Sequence, residues 1–398
     1  MSRLRWPTVT LALLIPVALV LGIWLGGHPM SLPGPVRDVL VDDQVAVMAE
    51  ALDRVNDDYY RKIPNDQLAD AAVGGIVASL KDRFSAYFNP KDYAAYQDTT
   101  NSEFSGVGLG VQGDDDGLLV SNVYDDSPAA RAGLKKGDVI VAANGKRLKG
   151  RPEESATALI KGPAGTSVKL TVKRGDREFT KTVQRAKISV PAVQGETITT
   201  KNGKKIAVIS LAQFSSGAHG ELYAAIKDAQ KSGADGIVFD MRGNPGGLVT
   251  EARLVASAFL KDGPIVTTRG RNVPTKTLNA TGSPVAPKIP VVVLVDNGSA
   301  SAAEIVAGAL QDRKRAKLVG QPTFGKGVFQ EVVPLRNGGA LDITVGRYFT
   351  PNGTNLGGGG VARGKGLQPD VTAKDDPDTK QDEALDKAVS ELQSELSA

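Results

Sequence analysis

The chain has 398 residues, 41% hydrophobic and 23% charged, a length that calls for two to three domains. Its 48 basic and 44 acidic residues give a net charge of +4, with no Lys/Arg block that would make a nucleic-acid footprint. With no cysteine and two histidines, His28 and His219, thiol nucleophiles, disulfide frameworks and Cys-type zinc sites are excluded, and a Ser-His-Asp triad would depend on His219.

Arg3 and Arg5 precede an apolar run from Val9 to Leu25 with no convincing cleavage site after it. Residues 1–30 read as an uncleaved signal anchor, a single membrane-spanning segment with the rest of the chain outside the cytoplasm. Residues 42–102 place apolar side chains at three and four spacing and predict helices packed as a small hairpin. Residues 103–187 change to short β-branched runs broken by Gly, Asp and Pro, with one helix in EESATALIKG, and predict a compact module.

From Lys204 to Pro351, strand-like runs (KIAVISL, GIVFDMR, IPVVVLV) alternate with helix-like ones (HGELYAAIKDAQ, TEARLVASAFL, AAEIVAGALQDR). Such alternation predicts parallel βαβ units, and near-continuous apolar runs predict strands covered on both faces. Residues 373–398 read as a polar tail with a short peripheral helix.

Several patterns imitate other chemistry. Gly108, Gly110 and Gly113 spell G-x-G-x-x-G, and Gly320 to Lys326 fill seven positions of a phosphate-binding loop. Both precede strand-like sequence, whereas a phosphate cradle needs a helix N-terminus there. Asp114, Asp115 and Asp116 lack calcium-loop spacing and predict a hairpin turn, and the lone His219 reads as a surface or packing residue.

Ser299 and Ser301 lie between IPVVVLV and a helix beginning near Ala302, at the carboxyl end of a strand where reacting groups gather. Free N–H groups there suit an oxyanion, although serine at a helix start is also a common N-cap. Lys326 sits in a glycine-flanked turn on the same sheet edge, with Phe324, Val328 and Phe329 to desolvate its amine. Gln330, four residues on, shares its face in a period-two strand. The DMRGNPGGL turn brings Gly246 and Gly247 to the same edge, where an oxyanion hole can combine the Ala302 N–H with one from this turn.

The motifs DMRGNPGGL, SASAAEI and GQPTFGKGVFQ resemble the C-terminal processing peptidases of the S41 family, with Lys326 following Ser301 by 25 residues. That resemblance implies an α/β catalytic core of ClpP/crotonase-like βαβ units at 188–372, with Ser301 as nucleophile, Lys326 as general base and Gln330 orienting it. It further implies Ala302 and Gly246 as oxyanion donors, with no metal and no cofactor. FSGVGLGV and SPAARAGLKKGDVIVAANG resemble an inserted PDZ domain, which implies a peptide carboxylate held by the N–H groups of Val107, Gly108 and Leu109. The partners implied are proteins with apolar C-terminal tails, with the subunit number open and a homo-oligomer among the alternatives. The chain departs from the family pattern in KDRF before SAYFNP and in the glycine run 357–360, which lengthens a loop. A competing reading is a catalytically inactive PDZ-based tether or chaperone. A crotonase-like enzyme lacks sequence support for an acyl-CoA site.

Overall fold

A computed structural model describes residues 42–101, 103–376 and 378–397. The expected anchor at 1–30 lies outside them, and no helix among the described residues is long and apolar enough to cross a membrane.

Residues 42–82 belong to one unit. Its helix α1 (Asp43–Asp58) is capped by the Asp42 carboxylate, which accepts from the Gln44 N–H at 2.9 Å, and α2 spans Asn65–Ser79. Val45, Met48, Leu52 and Val55 repeat at three and four spacing, yet each is exposed and α1 buries no residue. The apolar stripe that predicted a packed hairpin therefore faces solvent rather than forming a seam.

The second unit begins at Arg83. Strand β1 (Ala86–Phe88) precedes α3 (Pro90–Thr100), which opens with Pro90 at its first turn and the Asn89 side chain accepting from the Asp92 N–H. Strand β2 (Glu103–Gly106) then leads into a module of β3 (Leu109–Asp114), β4 (Gly117–Val123), α4 (Pro128–Arg131), β5 (Val139–Ala143), β6 (Lys146–Arg147), α5 (Glu153–Ile160), β7 (Ser167–Arg174) and β8 (Arg177–Gln184). Its sheet runs β3-β4-β5-β7-β8, with β6 against β5. Along β7, Val168, Leu170 and Val172 are buried while Ser167, Lys169 and Lys173 are exposed, so the period of two selects the core face. Strand β9 (Ala186–Ser189) leaves the module antiparallel to β2.

The chain on both sides of that ribbon belongs to one core. It continues through β10 (Val193–Thr199), β11 (Lys205–Leu211), α6 (Ala218–Lys231), β12 (Gly236–Asp240), α7 (Val249–Ser257), β13 (Pro264–Gly270), β14 (Lys276–Asn279), β15 (Val291–Val295), α8 (Ala302–Asp312), β16 (Lys317–Gly320), β17 (Val328–Pro334), β18 (Ala340–Phe349), β19 (Val371–Thr372) and α9 (Glu383–Ser397). One sheet has the order β10-β11-β12-β15-β16-β19, parallel from β11 onward, which is the βαβ alternation the sequence predicts. A second, antiparallel sheet joins β1, β18, β13 and β14, with β17 also on β18. Residues 86–88, inside the stretch expected to be helical, therefore pair with the core.

All five residues of β15 are buried because both faces are covered. Val291, Val293 and Val295 pack with Leu222, Val255 and Val306 of α6, α7 and α8. Val292 and Leu294 pack with Ala384, Ala388 and Leu392 of α9. The C-terminal helix is thus the second layer of the core, not the peripheral tail its polar composition suggests.

Candidate active site

Ser301 stands at the junction of β15 and α8 with φ 55° and ψ −114°, a conformation disfavoured for a side chain with a Cβ. The strain persists because hydrogen bonds hold the turn from several sides. The Asp296 carboxylate accepts from the N–H groups of Gly298 (2.9 Å) and Ser299 (3.1 Å), and also from Gly243 (2.8 Å) in the glycine-rich turn after β12. Asn244 ties the same two turns: its side chain donates to the Leu211 carbonyl at 2.7 Å, and its own carbonyl accepts from Ala300 at 2.9 Å. Ser299 is fully buried, its hydroxyl spent on the Met241 carbonyl at 2.8 Å. Of the two serines in the motif, Ser301 alone lines the cleft.

Glu304, in the first turn of α8, is fully buried and joins the serine to the lysine loop. One oxygen accepts from the N–H groups of Ser301 (2.9 Å) and Lys326 (3.0 Å), the other from the Thr323 hydroxyl (2.6 Å) and the Gly325 N–H (2.7 Å). Burial pushes its carboxyl above the usual range, opposed by these four donors. Tyr348, also buried, donates its hydroxyl to the Lys326 carbonyl, and burial together with the Glu304 charge raises its phenol well above the ordinary value. Neither residue figures in the sequence reading of the site. The signal for Glu304 is present in S-x-x-E, the spacing of a capping box.

The cleft has a volume of about 260 Å³ and brings together Ser301, Lys326 and Gln330 with Phe214, Gly247 and Phe329. The Lys326 amine lies 4.8 Å from the centre of the Phe84 ring, an aromatic neighbour upstream of the predicted apolar set. Gln330 keeps to the same side because the irregularity opposite Phe329 and Gln330 lies on β18, leaving the alternation of β17 intact. Its amide donates to the Thr344 hydroxyl at 2.9 Å.

Ala302 is fully buried, and its N–H meets no acceptor among the described residues, the condition of a donor kept for a ligand. Gly246 serves differently from expectation. Its N–H donates to the Asn244 side chain at 2.9 Å, so it is not free for an oxyanion. A Cβ there would lie 2.8 Å from the Ser301 Cβ and 2.9 Å from the Ala302 nitrogen, and φ is 102°, so glycine is required for the Ser301 turn to pack against it. Gly247 lines the cleft, and its N–H meets no acceptor among the described residues.

In the inserted module, the Val107 carbonyl accepts from Ala129, the Gly108 carbonyl accepts from Tyr124, and Leu109 opens β3. The G-x-G-x-x-G pattern thus enters a strand rather than a helix, as does the chain after Lys326. Asp114 to Asp116 form the β3–β4 turn, with Asp116 paired to Lys149 and Lys173. His219 binds the buried Glu251 at 2.8 Å, outside the cleft lining. No group of three or more potential metal ligands occurs among the described residues.

Residues 205–373 match peptidase family S41 and residues 119–174 match the PDZ domain. A probable CtpA-like serine protease of Staphylococcus haemolyticus is 34% identical over 90% of this chain and 69% of its own length. One from Staphylococcus aureus (strain COL) is 36% identical over 80% of this chain, which spans 62% of it. Among solved structures, a photosystem II D1 C-terminal processing protease is 29% identical with a TM-score of 0.50, covering 84% of this chain and 94% of that one.

Proposed function

The chain belongs to peptidase family S41, a family of serine-type peptidases, and from that premise we propose that it is a C-terminal processing endopeptidase with a Ser301–Lys326 dyad. The observation that carries this reading is the convergence of Ser301, Lys326 and an unengaged Ala302 N–H on one cleft, with Glu304 binding the backbones of nucleophile and base together.

In the proposed reaction the neutral Lys326 amine takes the Ser301 hydroxyl proton as Oγ attacks the scissile carbonyl carbon. The oxyanion is received by the Ala302 N–H and by Gly247, the glycine of the turn whose N–H is unengaged. Lys326 returns the proton to the departing amine, leaving an ester on Ser301. The same amine then deprotonates the water that hydrolyses this ester, and Ser301 recovers its proton as it leaves. A lysine can do this near neutral pH only when desolvation lowers its pKa from about 10.4, and Phe329 in the cleft lining supplies apolar surface for that. Gln330 sits where it can orient the amine.

The PDZ domain captures an apolar C-terminal tail of a protein substrate as a strand beside β3, its carboxylate on the N–H groups of Val107, Gly108 and Leu109. Arg3, Arg5 and the apolar run after them support a membrane-anchored enzyme whose catalytic part is extracytoplasmic. Substituting Ser301→Ala or Lys326→Ala abolishes cleavage of a protein with an apolar tail and leaves its binding intact. Full cleavage by either variant sinks the dyad. The absence of labelling of wild-type Ser301 by a serine-directed probe, with tail binding retained, favours the inactive tether.

A further inference from the structure

The glycine run at Gly357–Gly360, which lengthens a loop, packs against the backbone of the proposed base. On its inner side Lys326 donates its N–H to Glu304 and receives the Tyr348 hydroxyl on its carbonyl. On its outer side the segment 360–367 runs antiparallel to 323–327. Gly327 donates to Gly360 at 3.0 Å, Ala362 to Gly325 at 3.0 Å, Gly364 to Phe324 at 2.8 Å and Thr323 to Leu367 at 3.1 Å. Lys326 and Val361 stand opposite each other in this strap.

Asn355 closes the loop. Its Nδ2 donates to the carbonyls of Gly327 and Tyr348, both at 2.9 Å, and its Oδ1 accepts from Gly359 at 2.8 Å and Gly357 at 3.3 Å. Two donors and two lone pairs are all engaged. The closure is tight enough that a Cβ on Gly357 would lie 2.0 Å from the Gly360 carbonyl oxygen. The two carbonyls held by Asn355 belong to the residue after Lys326 and to the tyrosine whose hydroxyl binds Lys326. Only an amide meets both demands, because a carboxylate has no proton for those carbonyls.

We propose that Asn355 is a positioning residue for the general base: by locking the strap onto the lysine loop it holds the Lys326 amine in line with Ser301. The inference rests on the Ser301–Lys326 reading. It predicts that loosening the strap lets water reach the amine and favours its protonated form.

The test is the rate at which a fluorophosphonate labels Ser301 in the full chain, measured across pH for wild type, Asn355→Asp and Asn355→Ala. The expected result is a fall of roughly 10- to 100-fold near neutral pH, with the rising limb of the pH profile moved to higher pH and binding of an apolar-tailed peptide unchanged. An unchanged rate in a folded variant overturns the inference. So does a lower rate with an unmoved limb, because that marks a merely structural role. If the Asn355 variants do not fold, Gly359→Ala is read the same way: φ is 106° there and the nearest atom to an added Cβ is 3.9 Å away, so it strains the loop without a clash. Wild-type labelling of Lys326→Ala instead overturns the dyad itself, a separate outcome.

Discussion

The peptidase site and the PDZ domain are held in place by different forces. Around Ser301 and Lys326 the fixing groups are buried and polar: Glu304, Asn244 and Ser299 are fully buried, and each joins turns that are distant in sequence. The PDZ domain is organised by apolar packing, with Leu118, Ile140, Leu148, Leu170 and Val172 all fully buried. The buried carboxylate of Asp138 is fastened by Arg174 at 2.6 Å. Chemistry at a serine demands positions held to a fraction of an ångström, which directional hydrogen bonds supply. Capturing a peptide as an extra strand demands an intact edge, which a well-packed sheet supplies.

The contrast is broken most severely at Glu304. Glu304→Gln preserves volume but turns an NH2 group toward either Ser301 and Lys326 or Thr323 and Gly325, placing donors against donors. The expected cost is about 2–4 kcal/mol of stability and roughly a 100-fold loss of Ser301 labelling. Tail-peptide binding is expected to remain, and its loss alongside labelling would mean that the two regions are not independently fixed.

The converse change is Leu118→Ala, a cavity in the PDZ core expected to cost about 2–5 kcal/mol. Peptide binding should weaken while Ser301 labelling stays within roughly twofold of wild type. A parallel fall in both would show the PDZ domain and the core unfolding as one cooperative body, measurable as a single thermal transition.

This division also governs what could be read from the sequence. Apolar packing leaves a periodic trace: IPVVVLV and GIVFDMR announce β15 and β12, and the alternation of Val168, Leu170 and Val172 announces β7. Polar hubs leave almost none. The glycines of GNPGG mark the glycine turn, but nothing in the run says that the Gly246 N–H is spent on Asn244. Glu304 was legible as a helix cap and not as the link between two loops, because Thr323 and Gly325 lie 19 and 21 residues beyond it. The stripe on α1 misleads in the opposite direction, since three-and-four spacing records an amphipathic face and not what covers it. The polar composition of α9 conceals Ala384, Ala388 and Leu392, enough to cover a sheet face.

A weaker kind of attachment sharpens the contrast from below. Besides its apolar face, α9 is tied to the start of the glycine-rich turn by Arg242, whose guanidinium meets Asp382 through two contacts of 2.8 Å and Asp240 at 2.8 Å. The Arg242 hydrogen bond holds the Asp382 carboxyl below its ordinary value. A depressed carboxyl contributes its stability above the unfolded-state pKa of about 3.9 and loses it as pH falls through the lower folded value. Because Asp382 is 42% exposed, solvent screening keeps the contribution under about 1 kcal/mol. Hydrogen exchange should therefore show the α9 amides losing protection below about pH 4 in wild type, with Asp382→Asn already weaker at neutral pH and less sensitive to acid. Equal acid sensitivity in that variant would show that the Asp382 carboxyl does not carry the effect.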